Sequence, residues 1–332
     1  MAVHFPDRVV HGGNGKRQQE KTQKMVLDFS ASVNPHPPRF EWECNPESLS
    51  YYPDNNYTQL KELIAKTFHR NTDEICVGNG SIELIRVLSS VVLSSNKRYS
   101  IENPTFGEYE LSARLAGASP VDSIHKADVA FICNPNNPTG SLRTRNEMLA
   151  VMNTVSSGGG LLFADEAFIE LSNPNESLAH VKNDHLFILR SLTKSFAVPG
   201  IRFGYGFGDP ELVEKIEIAR PPWSVNAYAE AFALQAFRHM DALFASRTFI
   251  AQERDWLSSQ LNAIGLSCQQ SSANYLLVET GRTATSLSTQ LETFGILVRD
   301  CTSFGLPTCI RIAVRTRAEN RILVEALTSC VH

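Results

Sequence analysis

The stretch Arg190-Ser-Leu-Thr-Lys-Ser-Phe-Ala-Val-Pro-Gly-Ile-Arg202 decides how the rest of the chain is interpreted. Its lysine, Lys194, follows an apolar segment at 186–189 that is typical of a buried strand. A lysine amine condenses with an aldehyde only when it is unprotonated, which requires poor solvation or neighbouring positive charge. Ser191 and Arg202 are suited to binding a phosphate beside that amine. The common alternative is an exposed lysine in a loop of serine and threonine residues.

A second phosphate-binding element is predicted upstream. The segment Cys76-Val-Gly-Asn-Gly-Ser-Ile-Glu83 is a glycine-rich turn that opens a helix. Free backbone amides at a helix N-terminus bind phosphate well, and Gly80 and Ser81 stand where those amides lie. The alternative is that Ser81 is a simple N-cap.

Three more candidate residues follow predicted strands. Phe106 lies just beyond a strand at 99–101, and it belongs either to the core or to a binding site. Asn137 lies in an Asn-Pro-Asn-Asn-Pro-Thr-Gly segment, in which two prolines exclude regular structure. Asp165 follows a buried strand at 160–164. Because ligands bind outside the carboxyl ends of strands in open α/β sheets, Asp165 is expected to do chemistry; a helix cap is the alternative.

The two ends of the chain are predicted to form a smaller unit. Residues 1–50 are rich in proline and are expected to be irregular, and their His11-Gly-Gly-Asn14 segment is either a simple turn or a contact for a ligand anion. Prolines at 221–222 precede a long helical region at 227–262, and strands and helices alternate beyond it, with one strand expected at 296–299. A capping box is predicted at Thr316 and Glu319. We therefore predict an N-terminal arm at 1–50, a large domain at 51–225 and a small domain at 226–332.

Composition limits the possible partners. The length of 332 residues suggests about two domains. A net charge of −4 argues against a general nucleic-acid or anionic-membrane surface. The seven cysteines are odd in number and scattered, which indicates reduced packing thiols. The chain shows no apolar signal core and no run of about 20 apolar residues, so we expect a cytoplasmic protein without a membrane partner.

The order of these segments resembles that of fold-type I pyridoxal-phosphate enzymes of the aminotransferase class. The resemblance implies an α/β fold, with a large domain built on a mostly parallel seven-stranded sheet and a small α/β domain. It implies that Lys194 carries pyridoxal 5'-phosphate and that Asp165 keeps the pyridine nitrogen protonated, as carbanion stabilisation requires. Phe106 would stack on the ring, and Asn137 would donate to the ring hydroxyl oxygen. The residues implied for the cofactor phosphate are Gly80, Ser81, Ile82, Ser191 and Arg202.

From His11 to Asn320, longer motifs are similar to the threonine-phosphate decarboxylase family of cobalamin biosynthesis. These motifs are His-Gly-Gly-Asn14, Leu-Asp-Phe-Ser-Ala-Ser-Val-Asn-Pro35, Tyr-Pro-Asp54, Asp-Glu-Ala-Phe168, Arg-Ser-Leu-Thr-Lys194, Pro-Trp-Ser-Val-Asn226, Ala-Asn-Tyr-Leu-Leu277 and Arg-Ile-Ala-Val-Arg315. The resemblance implies a homodimer in which Tyr52 reaches the cofactor phosphate of the partner subunit. Arg311 would bind the substrate carboxylate and Arg299 its phosphate. The implied substrate-binding residues are His11, Gly12, Ser32, Asn137, Arg299 and Arg311.

Two positions depart from patterns among these relatives. Ser32 stands where the decarboxylase family has asparagine, so one substrate contact is lost or is made by the backbone. Phe168 stands where many aminotransferases have a tyrosine that bonds the cofactor, and the decarboxylases also have phenylalanine there.

The expected reaction is decarboxylation of O-phospho-L-threonine to aminopropanol phosphate. His11-Gly-Gly-Asn14 and Arg315 fit a compact site for the two anions of that substrate. Two alternatives stay open: a histidinol-phosphate-type aminotransferase, and a decarboxylase of O-phospho-L-serine, since one methyl group changes binding by only about 1–3 kcal/mol. A regulator that only senses the cofactor would use a DNA-binding domain, and no basic cluster indicates one.

Overall fold

A computed structural model gives the structure of residues 6–23 and 25–331. The helices are α1 Gly15–Thr22, α2 Thr58–Phe68, α3 Ser81–Val92, α4 Glu108–Leu115, α5 Arg145–Ser157, α6 Leu192–Ser195, α7 Pro210–Ala219, α8 Ala227–Ala236, α9 Leu243–Ala263, α10 Ala284–Thr293 and α11 Arg317–Val331. The strands are β1 Leu27–Asp28, β2 Ile75–Gly78, β3 Arg98–Ile101, β4 Ser119–Pro120, β5 Val129–Cys133, β6 Leu161–Asp165, β7 Leu186–Ser191, β8 Gly204–Phe207, β9 Ser267–Cys268, β10 Tyr275–Glu279, β11 Ile296–Leu297, β12 Arg299–Asp300 and β13 Cys309–Ala313.

The large sheet has seven strands in the order β2-β8-β7-β6-β5-β3-β4. Only β8 runs antiparallel to its neighbours, so the predicted mostly parallel sheet is confirmed. The strands β5, β6 and β7 are buried along their whole length, which explains why most of their residues are apolar. Alternate side chains enter two cores: Phe131 and Phe163 pack on one face of the sheet, and Ile132 and Ala164 on the other.

The register of the central strands brings their carboxyl ends to one edge. Cys133 at the end of β5 pairs with Asp165, and Asp165 pairs with Leu189 of β7. The chain leaves β5 toward Asn137 and leaves β7 toward Lys194. The two loops and Asp165 therefore share one edge of the sheet, as an open α/β sheet requires for a ligand site.

The smaller sheet contains β12-β13-β10-β9, all antiparallel, and β1 pairs in parallel with β11. Phe29 of the N-terminal arm is buried in the same cluster as Leu257 and the inner side chains of this sheet. The helix α8 and Ile250 instead pack into the core of the large sheet. We therefore propose that the domains join within α9, later than the boundary at 226 that the proline break suggested.

Two local predictions from the sequence were wrong. The arm is not irregular throughout, because α1 forms near its start. The segment 296–299, predicted as one strand, divides into β11 and β12, which join different sheets. The predicted helical region at 227–262 is confirmed: it consists of α8, a 3-10 segment at Phe237–Ala242 and α9, with a non-helical backbone at His239.

The last helix begins at the predicted capping box, where the Glu319 carboxylate accepts hydrogen bonds from the backbone N–H and hydroxyl of Thr316. In the described part of the chain we find no helix that combines the length and the apolar character needed to cross a membrane.

Candidate active site

Lys194 lies in the single turn α6, directly after β7. The Ser191 hydroxyl caps this turn by accepting a hydrogen bond of 3.3 Å from the Thr193 amide. Burial is the main reason why the pKa of Lys194 is lowered to about 8, and the positive charges of Arg311 and Arg202 contribute to the same shift. The lysine therefore has the poor solvation and positive neighbours that a nucleophilic amine requires.

Asp165 is buried at the end of β6, with 4% of its surface exposed. Its carboxylate accepts a hydrogen bond of 2.6 Å from the Tyr109 hydroxyl and one of 2.8 Å from the Ala167 amide. Burial raises the pKa of Asp165 to about 6, although both hydrogen bonds oppose the rise. A cationic ring nitrogen beside this carboxylate would restore its charged form. The Tyr109 contact was missed from the sequence, where Tyr109 is indistinguishable from a core aromatic.

The N-terminus of α3 forms a cradle with Arg202. Gly80 precedes the helix with φ of +78°, and no side chain caps it, so the alternative role of Ser81 as a simple N-cap is not observed. A Cβ at Gly80 would overlap the guanidinium of Arg202. Ser81 and Ile82 open the helix, and Gly204 of β8 passes so close that a Cβ there would overlap the Ser81 amide. Uncapped amides beside a guanidinium suit a phosphate.

The small domain contributes two arginines to the same region. Arg311 of β13 donates from Nη1 to the Asn137 side-chain oxygen and from Nη2 to the Ser30 carbonyl, at 2.9 Å. This contact fixes the Asn137 amide, so its NH₂ group is directed away from Arg311. Arg299 of β12 pairs directly with Arg311 across the two strands. Burial lowers the pKa of both arginines, and the charge of Arg311 adds to the effect on Arg299.

The N-terminal arm closes this region from the outside. Arg299 Nη2 donates to the Val10 carbonyl at 2.7 Å, and His11 Nε2 lies 2.8 Å from Glu108 Oε1. A Cβ at Gly12 would lie 2.6 Å from the Ser30 carbonyl, so only glycine allows this close passage. The hydroxyl of Ser32 is buried and has no hydrogen-bond partner among the described residues.

The remaining predicted residues take different environments. Phe106 packs edge-on against Tyr109 with ring centroids 5.5 Å apart. Phe168 is buried, with its ring centroid 5.9 Å from Lys194 Nζ. Tyr52 is 78% exposed and stacks on Trp223, so it is not buried within its own subunit.

Arg315, which the sequence suggested for the two-anion site, is engaged elsewhere. Its Nη1 donates to the Asp28 carbonyl at 3.1 Å, and its Nη2 donates to Glu319 at 2.6 Å. Both terminal nitrogens therefore connect the N-terminal arm to α11.

A family model described as aminotransferase class I and II matches residues 44–327. The chain belongs to this family. Its cofactor is pyridoxal 5'-phosphate, and the chain has the fold-type I architecture expected from the sequence.

Individual relatives include both a decarboxylase and aminotransferases. The "Putative threonine-phosphate decarboxylase" of Caldanaerobacter subterraneus subsp. tengcongensis is 34% identical over 325 residues, which cover 90% of this chain and 88% of the relative. The histidinol-phosphate aminotransferase of Methanothermobacter thermautotrophicus is 33% identical over 310 residues, covering 86% and 82%. The solved structure of histidinol-phosphate aminotransferase from Sinorhizobium meliloti, in complex with pyridoxal-5'-phosphate, has a TM-score of 0.85 and 18% identity, covering 100% of this chain and 98% of its own.

The residues at the sheet edge fit this cofactor. Pyridoxal phosphate supplies an aldehyde that joins an amine and a pyridine ring that accepts electrons from a bond to the substrate Cα. We propose that Lys194 provides the amine and that Asp165 holds the proton on the ring nitrogen. The uncapped amides of α3 and Arg202 suit its phosphate, and the fixed NH₂ group of Asn137 suits its ring hydroxyl.

Proposed function

We propose that this protein decarboxylates O-phospho-L-threonine to aminopropanol phosphate, as part of cobalamin biosynthesis, and that it acts as a homodimer. The observation that carries the proposal is the direct pairing of Arg299 with Arg311 on adjacent strands. Like charges directly opposite each other destabilise a sheet, and burial adds to that cost. Two anions bound side by side would offset both effects.

O-phospho-L-threonine carries its two anions in that arrangement. Its carboxylate is on Cα and its phosphate is on the neighbouring Cβ, so the two groups are close together. We assign the carboxylate to Arg311, which also contacts Asn137, and the phosphate to Arg299, which contacts the arm at Val10. Histidinol phosphate also carries its phosphate on the carbon next to the amine-bearing carbon, but it has no carboxylate, so it would leave Arg311 without an anion.

The two anchors also select the bond that breaks. The bond to Cα that stands perpendicular to the cofactor ring is the one whose electrons are withdrawn. An aminotransferase holds the carboxylate near the ring plane, whereas a decarboxylase turns it out of that plane. We propose that Arg299 and the arm hold the phosphate so that Arg311 draws the carboxylate out of plane.

A histidinol-phosphate-type aminotransferase is the second candidate. It is favoured by the 33% identity to the enzyme of Methanothermobacter thermautotrophicus, nearly equal to the identity to the decarboxylase relative. O-phospho-L-serine is a further candidate substrate of the same decarboxylation, because it lacks only one methyl group.

The deciding experiment measures carbon dioxide. Holoenzyme incubated with O-phospho-L-threonine, and with no 2-oxo acid, is expected to release carbon dioxide over many turnovers. A parallel reaction with O-phospho-L-serine measures how strongly the enzyme prefers the substrate that carries the methyl group. Strict dependence on 2-oxoglutarate, with formation of a keto product and no carbon dioxide, would establish the aminotransferase instead.

A further inference from the structure

The arm segment Val10–Gly13 connects the two domains at the candidate substrate site. Its Val10 carbonyl accepts from Arg299 at 2.7 Å, and the Gly13 amide donates to the Ser30 hydroxyl at 2.8 Å. Between these contacts, His11 reaches Glu108 of the large domain at 2.8 Å. His11 is therefore held next to the proposed phosphate ligand Arg299 by a residue from the opposite side of the cleft.

Glu108 is an unusual partner for a residue on a surface arm. Its side chain is buried, with 5% of the residue exposed, and it lies at the start of α4 two positions after Phe106. One carboxylate oxygen contacts His11, and the other accepts from Arg86 Nη2 at 2.5 Å. Arg86 alone would balance the buried charge, so the contact with His11 calls for a separate explanation.

The remaining nitrogen of His11 points to that explanation. Among the described residues, Nε2 contacts Glu108 and Nδ1 has no hydrogen-bond partner. The His11 ring is 5.9 Å from the ring of Phe106, so it lies beside the aromatic that is predicted to cover the cofactor. An imidazole that donates from both nitrogens can bridge a carboxylate and a phosphate.

We propose that Glu108 is a positioning residue that fixes His11 through Nε2, so that Nδ1 donates to the substrate phosphate beside Arg299. Glu108 acts only through His11 and does not touch the substrate. The inference rests on the proposed function to the extent that the substrate carries a phosphate, and it names the residue that orders the arm around that phosphate.

The test compares Glu108→Gln with Glu102→Gln in holoenzyme. Glu102 is a matched control because it also pairs with an arginine, Arg143, but lies on an exposed loop. Isothermal titration with inorganic phosphate measures the substrate site directly, since the cofactor already fills its own phosphate site. Loss of one charge-assisted hydrogen bond is expected to weaken phosphate binding about tenfold in Glu108→Gln and to leave Glu102→Gln unchanged.

Steady-state kinetics add a readout that a structural defect would not reproduce. Glu108→Gln is expected to raise KM for O-phospho-L-threonine about tenfold and to lower kcat by less, because Arg299 still orients the phosphate. In a His11→Ala background the same substitution is expected to have no further effect, because Glu108 acts through His11. Equal losses with and without His11, or unchanged phosphate affinity, would overturn the inference.

Two outcomes separate this inference from the proposed function. If the holoenzyme releases no carbon dioxide but Glu108→Gln still weakens phosphate binding, the decarboxylase proposal fails and the role of Glu108 stands. If Glu108→Gln does not fold, Glu108→Asp takes its place, because it keeps the charge beside Arg86 but shortens the side chain that reaches His11. His11→Ala is the second variant, because the His11 side chain is 51% exposed and its loss is tolerable. Unchanged phosphate affinity in His11→Ala would overturn the inference.

Discussion

At the scale of single residues, the environment of Lys194 leaves more of its amine unprotonated near neutral pH than in an ordinary lysine. Burial is the main cause of its pKa of about 8, and Arg311 and Arg202 add to it. In cofactor-free protein, modification of Lys194 by an amine-reactive reagent should therefore have a midpoint near pH 8. Because Arg311→Gln removes a positive neighbour, the protonated amine becomes more stable and the midpoint should move upward.

Peptide mass spectrometry across a pH series measures this midpoint. Lys215 provides an internal control, because its hydrogen bond with Glu211 raises its pKa. A wild-type Lys194 midpoint as high as that of Lys215 would contradict the assignment of Lys194 as the nucleophile.

Asp165 should make the stability of the cofactor-free protein fall as pH rises. Its pKa is about 6 in the folded protein against an ordinary value of 3.8, so between these values the folded state binds more protons than the unfolded state. Stability conferred by the protonated carboxyl is present below about pH 4 and is lost as pH rises through 6. Asp165→Asn should remove this dependence, so that its free energy of unfolding exceeds that of the wild type at pH 7 by roughly 1–3 kcal/mol. Urea unfolding at pH 4 and at pH 7 measures the difference; identical pH profiles for the two proteins would refute it.

Asp165→Asn should stabilise the cofactor-free protein but impair catalysis. Under the proposed role of Asp165, Asp165→Asn removes the charge that would keep the ring nitrogen protonated, so kcat should fall by several orders of magnitude while the cofactor remains bound. Tyr109→Phe removes only the 2.6 Å hydrogen bond to Asp165 and should have a much smaller effect. Turnover near that of the wild type in Asp165→Asn would show that the aspartate has another role.

At the scale of elements, the strand-to-helix joint at Gly80 should determine cofactor affinity. Gly80→Ala introduces a methyl group against the Arg202 guanidinium and a side chain at φ of +78°. Gly159 has the same φ, but a methyl group there would have no neighbour within 4 Å, so Gly159→Ala reproduces the backbone strain without the clash. Fluorescence titration should show weaker binding of pyridoxal phosphate in Gly80→Ala only. Equal affinities in the two variants would show that the backbone at Gly80 does not bind the cofactor phosphate.

Elements of the large domain were the most predictable from sequence. The strands β5, β6 and β7 are mainly apolar runs that lead into candidate site residues, so both their position and their direction can be inferred. The segment 296–299 was predicted as one strand because the same apolar run serves two sheets. Only tertiary pairing separates Ile296 of β11 from Arg299 of β12.

Candidate site residues could be predicted from the sequence where they belong to a short local motif or stand at the end of a recognisable strand. Lys194 and Arg202 lie in one segment, and Asp165 ends its strand. The contacts of Tyr109 with Asp165 and of His11 with Glu108 join residues 56 and 97 positions apart. No local pattern distinguishes such residues from a core aromatic or from a helix cap, because their partners are brought together only by the folded chain.

At the scale of the whole molecule, both domains and the arm meet at Arg311. Arg311 links the small domain to Asn137 of the large domain, and the Ser30 carbonyl of the arm accepts from the same guanidinium. A substrate that binds Arg311 therefore contacts a group that already connects three parts of the protein. The arrangement leaves Tyr52 unexplained, since it lies exposed on the surface of its own subunit.

The proposed homodimer gives Tyr52 a role, and mixed dimers can test it. In a symmetric dimer, a residue that serves the partner's site is supplied by each subunit to the other. Tyr52→Ala and Lys194→Ala homodimers should both have low activity, the first from weak cofactor binding and the second from loss of the amine. After the two proteins are unfolded and refolded together, half of the dimers are mixed, and each mixed dimer has one site with an intact Lys194 and the partner's intact Tyr52. Activity should then return to about one quarter of the wild-type value. If Tyr52 instead serves the site of its own subunit, every site in the mixture lacks either Tyr52 or Lys194, and no activity returns. Sedimentation of the refolded sample verifies that dimers have formed in either case.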